Sequence, residues 1–136
     1  MKIVIDTNVL ISAAFFGGVP KEVIDLVTKK NVSAYMNEEI LTEYNVTVSK
    51  VACKSKRHID QNLFEEFIKS VNVIESVASV NVCRDSTDNK FIACAVDAKA
   101  IYVVSGDKDL LTVERYDDVE IITAKEFYER YLLSQS

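Results

Sequence analysis

Short apolar runs alternate along this chain with stretches whose apolar positions recur every three or four residues, the alternation that strands and helices produce when taken in turn. KIVI at 2–5 is apolar and β-branched without a break after its lysine, as suits a parallel strand buried on both faces, and it is read as the central strand. After the loop FFGGV, Pro20 suits the first turn of a helix with Val23, Ile24 and Val27 on one face. Lys29 and Lys30 favour its carboxyl end. SAYM at 33–36 reads as a second strand. Asn37 caps a helix whose apolar side carries Ile40, Leu41, Tyr44 and Val48.

VACKSKRH then breaks the pattern, and Ile59, Leu63, Phe67 and Val71 recur at intervals of four, predicting a helix over about 58–70. VNVIES reads as a strand or strand edge, VASVNVC as another short extended piece, and RDSTD as a polar turn. From Asp88 a helix follows with Phe91, Ile92, Ala95 and Val96 on one face. IYVVS at 101–105 is a second buried parallel-type strand, GDKDLL a turn and short helix, and VEII at 119–122 a last strand. Thr123 and Glu126 form a capping box for the final helix. Strands and helices alternating throughout predict a doubly wound α/β domain, with a central, mainly parallel sheet of about five strands between two helical layers.

The length of 136 residues fits a single domain spanning 1–136. No stretch approaches the roughly 20 apolar residues of a membrane span, and the opening residues read as a strand and not as a signal segment, so a soluble, cytoplasmic protein with no membrane partner is expected. Cys53, Cys83 and Cys94 lie outside any C-x-x-C spacing, which argues for small buried hydrophobes over a disulfide framework or a zinc site. The net charge of −5 weighs mildly against a polyanionic partner. Part of it belongs to acids that a bound cation would neutralise, so overall charge does not settle the partner.

The acids carry the candidate chemistry. Asp6 closes the first strand, Glu43 lies beside the apolar stripe of its helix, Asp88 opens a helix, and Asp107 follows IYVVSG. Open α/β sheets place their sites at the carboxyl ends of the strands, so four distant acids are brought to one edge. Carboxylates so close repel, and either some stay protonated or a divalent cation neutralises them. Each acid also has a plain structural reading, because Asp at a strand end caps turns and Asp at a helix start is favoured by exposed amides. Asp85 and Ser86 cap as readily as Asp88, and Asp107 caps the short helix DLL. Those readings leave unexplained why the two clearest buried strands both end in an acid. A phosphoacceptor receiver would need an acidic pair near its first strand, and an Asp-nucleophile hydrolase a second Asp where Asn8 stands.

The ordered blocks KIVIDTNVLISA, LTEY, DSTDNKFIACA, VVSGDKDLL and VEIITAKEF resemble the PIN-domain ribonucleases, and among them the toxins of toxin–antitoxin pairs. That resemblance implies a PIN-like α/β/α sandwich, with Asp6, Glu43, Asp88 and Asp107 as metal-binding catalytic acids, Asp109 as a fifth ligand, and Asn8 and Ser105 as polar supports. Oxygen-only ligands suit Mg²⁺ or Mn²⁺, and one ion, or two, would activate water for hydrolysis of an RNA phosphodiester. Glu43 is placed to orient or deprotonate that water. The resemblance further implies a homodimer and a cognate antitoxin. Lys50, Lys54, Lys56 and Arg57 form a basic cluster that either is a solvated helix end or contacts RNA phosphates. His58, the sole histidine, lies outside every acid block and reads as a solvated residue. The rival readings are a non-catalytic phosphoacceptor or metal-binding regulator, and a nuclease acting on DNA.

Overall fold

The computed structural model describes residues 1–55 and 58–136. In chain order the elements are β1 (Lys2–Ile5), α1 (Thr7–Phe16), α2 (Gly18–Thr28), β2 (Ser33–Met36), α3 (Glu38–Lys54), α4 (Gln61–Ser70) and β3 (Asn72–Val73). After a 3₁₀ turn at Ser86–Asp88 come α5 (Asn89–Ala98), β4 (Tyr102–Val104), α6 (Lys108–Leu111), β5 (Arg115–Tyr116), β6 (Val119–Ile122) and α7 (Ala124–Ser134). The strands form one sheet in the order β3-β2-β1-β4-β6-β5. All pair in parallel except β5 with β6. Helices flank the sheet as an α/β/α sandwich. α5 lies across β2, β1, β4 and β6, while α1, α2, α4 and α7 pack among themselves.

The sheet has six strands where about five were expected, because the pair Arg115–Tyr116 folds back on β6 at the edge. Two residues show no alternation to read. β1 is central as its continuous apolar run requires, with Ile3, Val4 and Ile5 fully buried. The strand order reverses at β1, since β2 and β3 lie on one side and β4 and β6 on the other. The crevice between β1 and β4 is therefore the topological switch point.

FFGGV is not one loop: Phe15 and Phe16 end α1, Gly17 makes the break, and Gly18 and Val19 begin α2. Gly17 has φ 73° and ψ −133°, a backbone region that only glycine enters without strain, so the kink between two contiguous helices depends on it. The α4 helix starts at Gln61, because the Asp60 carboxylate accepts the Leu63 amide at 3.0 Å and caps it there. VASVNVC pairs with no strand among the described residues. The Asp97 carboxylate accepts from the Ser76 hydroxyl and the Val77 and Ala78 amides, and the Asn89 side-chain oxygen accepts from the Val82 and Cys83 amides, which clips this strap to α5.

Other capping signals act as read. The Asn37 side chain accepts the Ile40 amide at 2.9 Å, and Thr123 accepts the Glu126 amide at 3.1 Å. The return bond of that box comes from the Thr123 hydroxyl to the Glu126 carboxylate at 3.4 Å. Among the described residues no helix is long and apolar enough to cross a membrane.

Candidate active site

β1 and β4 run in register, Ile5 opposite Val104, and the chain leaves both at the same edge. There the Asp6 amide donates to the Val104 carbonyl at 2.9 Å, and the Ser105 amide to the Ile122 carbonyl at 2.9 Å. Asp6 precedes α1, yet its side chain caps nothing. It is 3% exposed, and Oδ2 accepts from Ser105 Oγ at 2.7 Å. The same fully buried Ser105 oxygen accepts the Asp107 amide at 2.9 Å, so one hydroxyl ties together the acids that follow the two strands. Asp107 caps α6, its Oδ1 accepting the Asp109 amide at 2.9 Å. Asp109 is half-buried, with Arg84 Nε 4.0 Å away.

Asp88 ends the 3₁₀ turn directly before α5, and it too makes no capping bond. Asp85 does the capping, its Oδ1 accepting the Thr87 amide at 3.0 Å and the Thr87 hydroxyl at 2.7 Å. Asp88 is 7% exposed, and its Oδ2 is buried with no hydrogen-bond partner among the described residues. Asp85, Asp88 and Asp109 each offer a carboxylate oxygen within 4.8 Å of the others.

Glu43 arrives on α3. The next residue, Tyr44, is fully buried and donates its hydroxyl to the Ile5 carbonyl, which locks α3 to the end of β1. Thr7 Oγ1 donates to Glu43 Oε2, and Lys90 Nζ lies 2.7 Å from Glu43 Oε1.

Burial raises the Asp6 carboxyl from 3.8 to about 6. The neighbouring charges of Asp107 and Glu43 push the same way, and the Ser105 hydrogen bond opposes them. Burial also raises Asp88, to about 7, with Asp107, Asp6 and Asp85 adding repulsion. The Cys83 thiol is pushed to about 11 by burial and then by Asp88, Asp107, Asp109 and Asp85, so it stays a thiol beneath the acids. Six carboxylates from four parts of the chain thus act on one another across a small space.

A buried carboxylate oxygen without a donor is costly, and a cluster of oxygen donors with raised proton affinity suits a hard cation. The residues present fit a divalent ion of the Mg²⁺ or Mn²⁺ type.

The sequence match decides the family: the model of the PIN domain covers residues 2–109. The chain belongs to the PIN-domain family. An uncharacterised protein of Methanocaldococcus jannaschii is 31% identical to this PIN domain over 96% of the chain and 92% of its own length. VapBC2 from Rickettsia felis, in a crystal structure bound to a DNA fragment from its promoter, shares the fold with a TM-score of 0.61. It is 16% identical over 89% of this chain and 97% of that one.

The remaining site candidates of this PIN domain lie apart. Asn8 is exposed and lines a shallow groove with Ser105, Gly106 and Lys125, while the bonds that steady the acids come from Thr7 and Ser105. Lys50 and Lys54 are exposed on α3. At seven and eleven residues beyond Glu43 they share its face, about 10 and 16 Å further along the axis. Lys56 and Arg57 fall outside the described residues, and His58 is exposed. Lys90 is not marked out by the sequence pattern, and Asp85 is marked only as a cap. The only written signals were the spacings, Asp85 three residues before Asp88 and Lys90 two after it.

Proposed function

We propose that this PIN domain is an endoribonuclease that hydrolyses RNA phosphodiester bonds with Mg²⁺ or Mn²⁺. We further propose that it is the toxin of a toxin–antitoxin pair, a cytoplasmic homodimer silenced by a cognate antitoxin. The observation that carries the chemistry is the buried Asp88 oxygen without a hydrogen-bond partner among the described residues, set in a cluster of acids at the switch point of the sheet. The toxin role is supported by the shared fold with VapBC2.

Asp6, Asp88 and Asp107 would hold the cation, with Asp109 and Asp85 at the outer side. A divalent ion supplies Lewis acidity toward a water and the scissile phosphate, and it offsets locally the negative charge of the carboxylates that hold it. Ser105 orients Asp6 by its hydrogen bond and spaces Asp107 through the backbone amide. Glu43, steadied by Thr7 and Lys90, accepts a hydrogen bond from the attacking water and takes up its proton. Arg84, whose side chain is 90% exposed beside Asp109, reaches a phosphate next to the cut. Lys50 and Lys54 lead the strand along α3, toward Lys56 and Arg57 in the sequence.

The test is digestion of single-stranded RNA, tRNA and single-stranded DNA with Mg²⁺, Mn²⁺ or a chelator, using wild type and Asp6→Asn. Cleavage of RNA with either ion, its absence with chelator, and a loss of about 100-fold or more in Asp6→Asn are expected. Preferential cutting of DNA would overturn the RNA assignment. Intact nucleic acid in every tube would leave a phosphoacceptor or regulatory domain. Growth arrest on expression, relieved by an adjacent short reading frame, tests the toxin role separately.

A further inference from the structure

The chain places a cation of its own among these acids. Lys90, in the first turn of α5, keeps only 11% of its side chain exposed. Its ammonium lies 2.7 Å from Glu43 Oε1, donates to the Thr87 carbonyl, and sits 5.2 Å from the centroid of the Phe91 ring. A lysine ordinarily extends its head into water, and this one is held from three directions. Thr7 serves the other oxygen of Glu43, so both oxygens of that acid already have a donor. Asp88 Oδ2, in the same cluster, has none among the described residues.

We propose that Lys90 is a positioning residue that takes, against Glu43, the place a second divalent ion would otherwise hold, so that the site takes a single ion on its Asp88 side. This rests on the nuclease reading above. Asp6 and Glu43 are near enough for their charges to repel, and one divalent ion shared with Asp88 leaves that repulsion to be offset at the Glu43 side. The Lys90 ammonium, 2.7 Å from Glu43 Oε1, meets the Glu43 charge directly. Lys90 also joins the two halves of the site, because the turn that carries Asp88 and the helix that carries Glu43 meet at its nitrogen. Glu43 is thereby kept out of the ion's coordination and available to a water.

Counting bound Mn²⁺ by electron paramagnetic resonance, with no nucleic acid present, tests this. Wild type and Lys90→Arg should each bind one equivalent, and Lys90→Met should bind two. The double variant Lys90→Met/Glu43→Gln, which removes the charge the lysine offsets, should return to one. A merely structural lysine would not move the count in this pattern. Two equivalents on wild type, or one on a folded Lys90→Met, would overturn the proposal and leave the nuclease reading intact. No binding by wild type would overturn both. Circular dichroism checks folding, and should Lys90→Met fail to fold, Lys90→Gln takes its place with the same expected counts.

Discussion

Asp6 and Asp88 hold their protons more tightly in the folded chain than in the unfolded one, which sets how stability changes with pH. The Asp6 carboxyl lies at about 6 against an ordinary 3.8, so the stability tied to its proton is complete below about pH 4 and falls as pH rises through 6. That fall amounts to about 3 kcal/mol for Asp6, and Asp88 adds to it in the same direction, since it titrates near 7. Chelator-treated protein should therefore melt at lower temperature at pH 8 than at pH 5.5, and millimolar Mg²⁺ should raise Tm more at pH 8 than at pH 5.5. Scanning calorimetry at the two pH values checks both, and a flat or rising Tm in chelator would contradict the electrostatics. The three aspartates were legible in the sequence because each stands at an element boundary next to a buried run. Their bonds were not, since a cap and a ligand look alike in writing. In the fold Asp85 caps while Asp88 does not, and Thr7 and Lys90 take hold of Glu43.

Between β3 and α5, at the scale of elements, the strap that delivers Asp85 and Asp88 has no ladder of its own. It is placed by two side chains of α5, Asn89 and Asp97. Asn89→Ala would leave the Val82 and Cys83 amides without their acceptor, at a cost of about 1–3 kcal/mol. Because Arg84 and Asp85 follow directly, the same change should weaken Mn²⁺ binding. Urea unfolding and an Mn²⁺ titration read the two effects, and unchanged values in both would remove the strap from the account. Strands β1, β2, β4 and β6 were legible as apolar runs, and α2, α3, α5 and α7 from their periodicity or caps. The α1 helix was not, since VLISAAFF is apolar nearly all round and buries Val9, Leu10, Ala13, Ala14 and Phe15, leaving no polar face to mark a period of 3.6.

For the whole molecule, alternation of strand and helix was enough to give a doubly wound sheet, but not the order of its strands. The reversal at β1 depends on which side each crossover returns to, and periodicity does not record that. The overall charge of −5 confines nucleic-acid attraction to local features such as the exposed Lys50 and Lys54. Replacing both by glutamate should weaken single-stranded RNA binding and lower the salt slope of log K by about 1.4, two phosphate contacts' worth, while Mn²⁺ affinity stays as it was. Filter binding across a salt series would contradict the RNA path if slope and affinity held. The most direct test of the acidic site is anomalous scattering from crystals soaked in Mn²⁺. A single peak in contact with Asp88 Oδ2 and shared with the neighbouring aspartates is expected. No peak, or a peak held only by exposed Asp85 and away from Asp88, would contradict the assignment of these acids as one metal-binding centre.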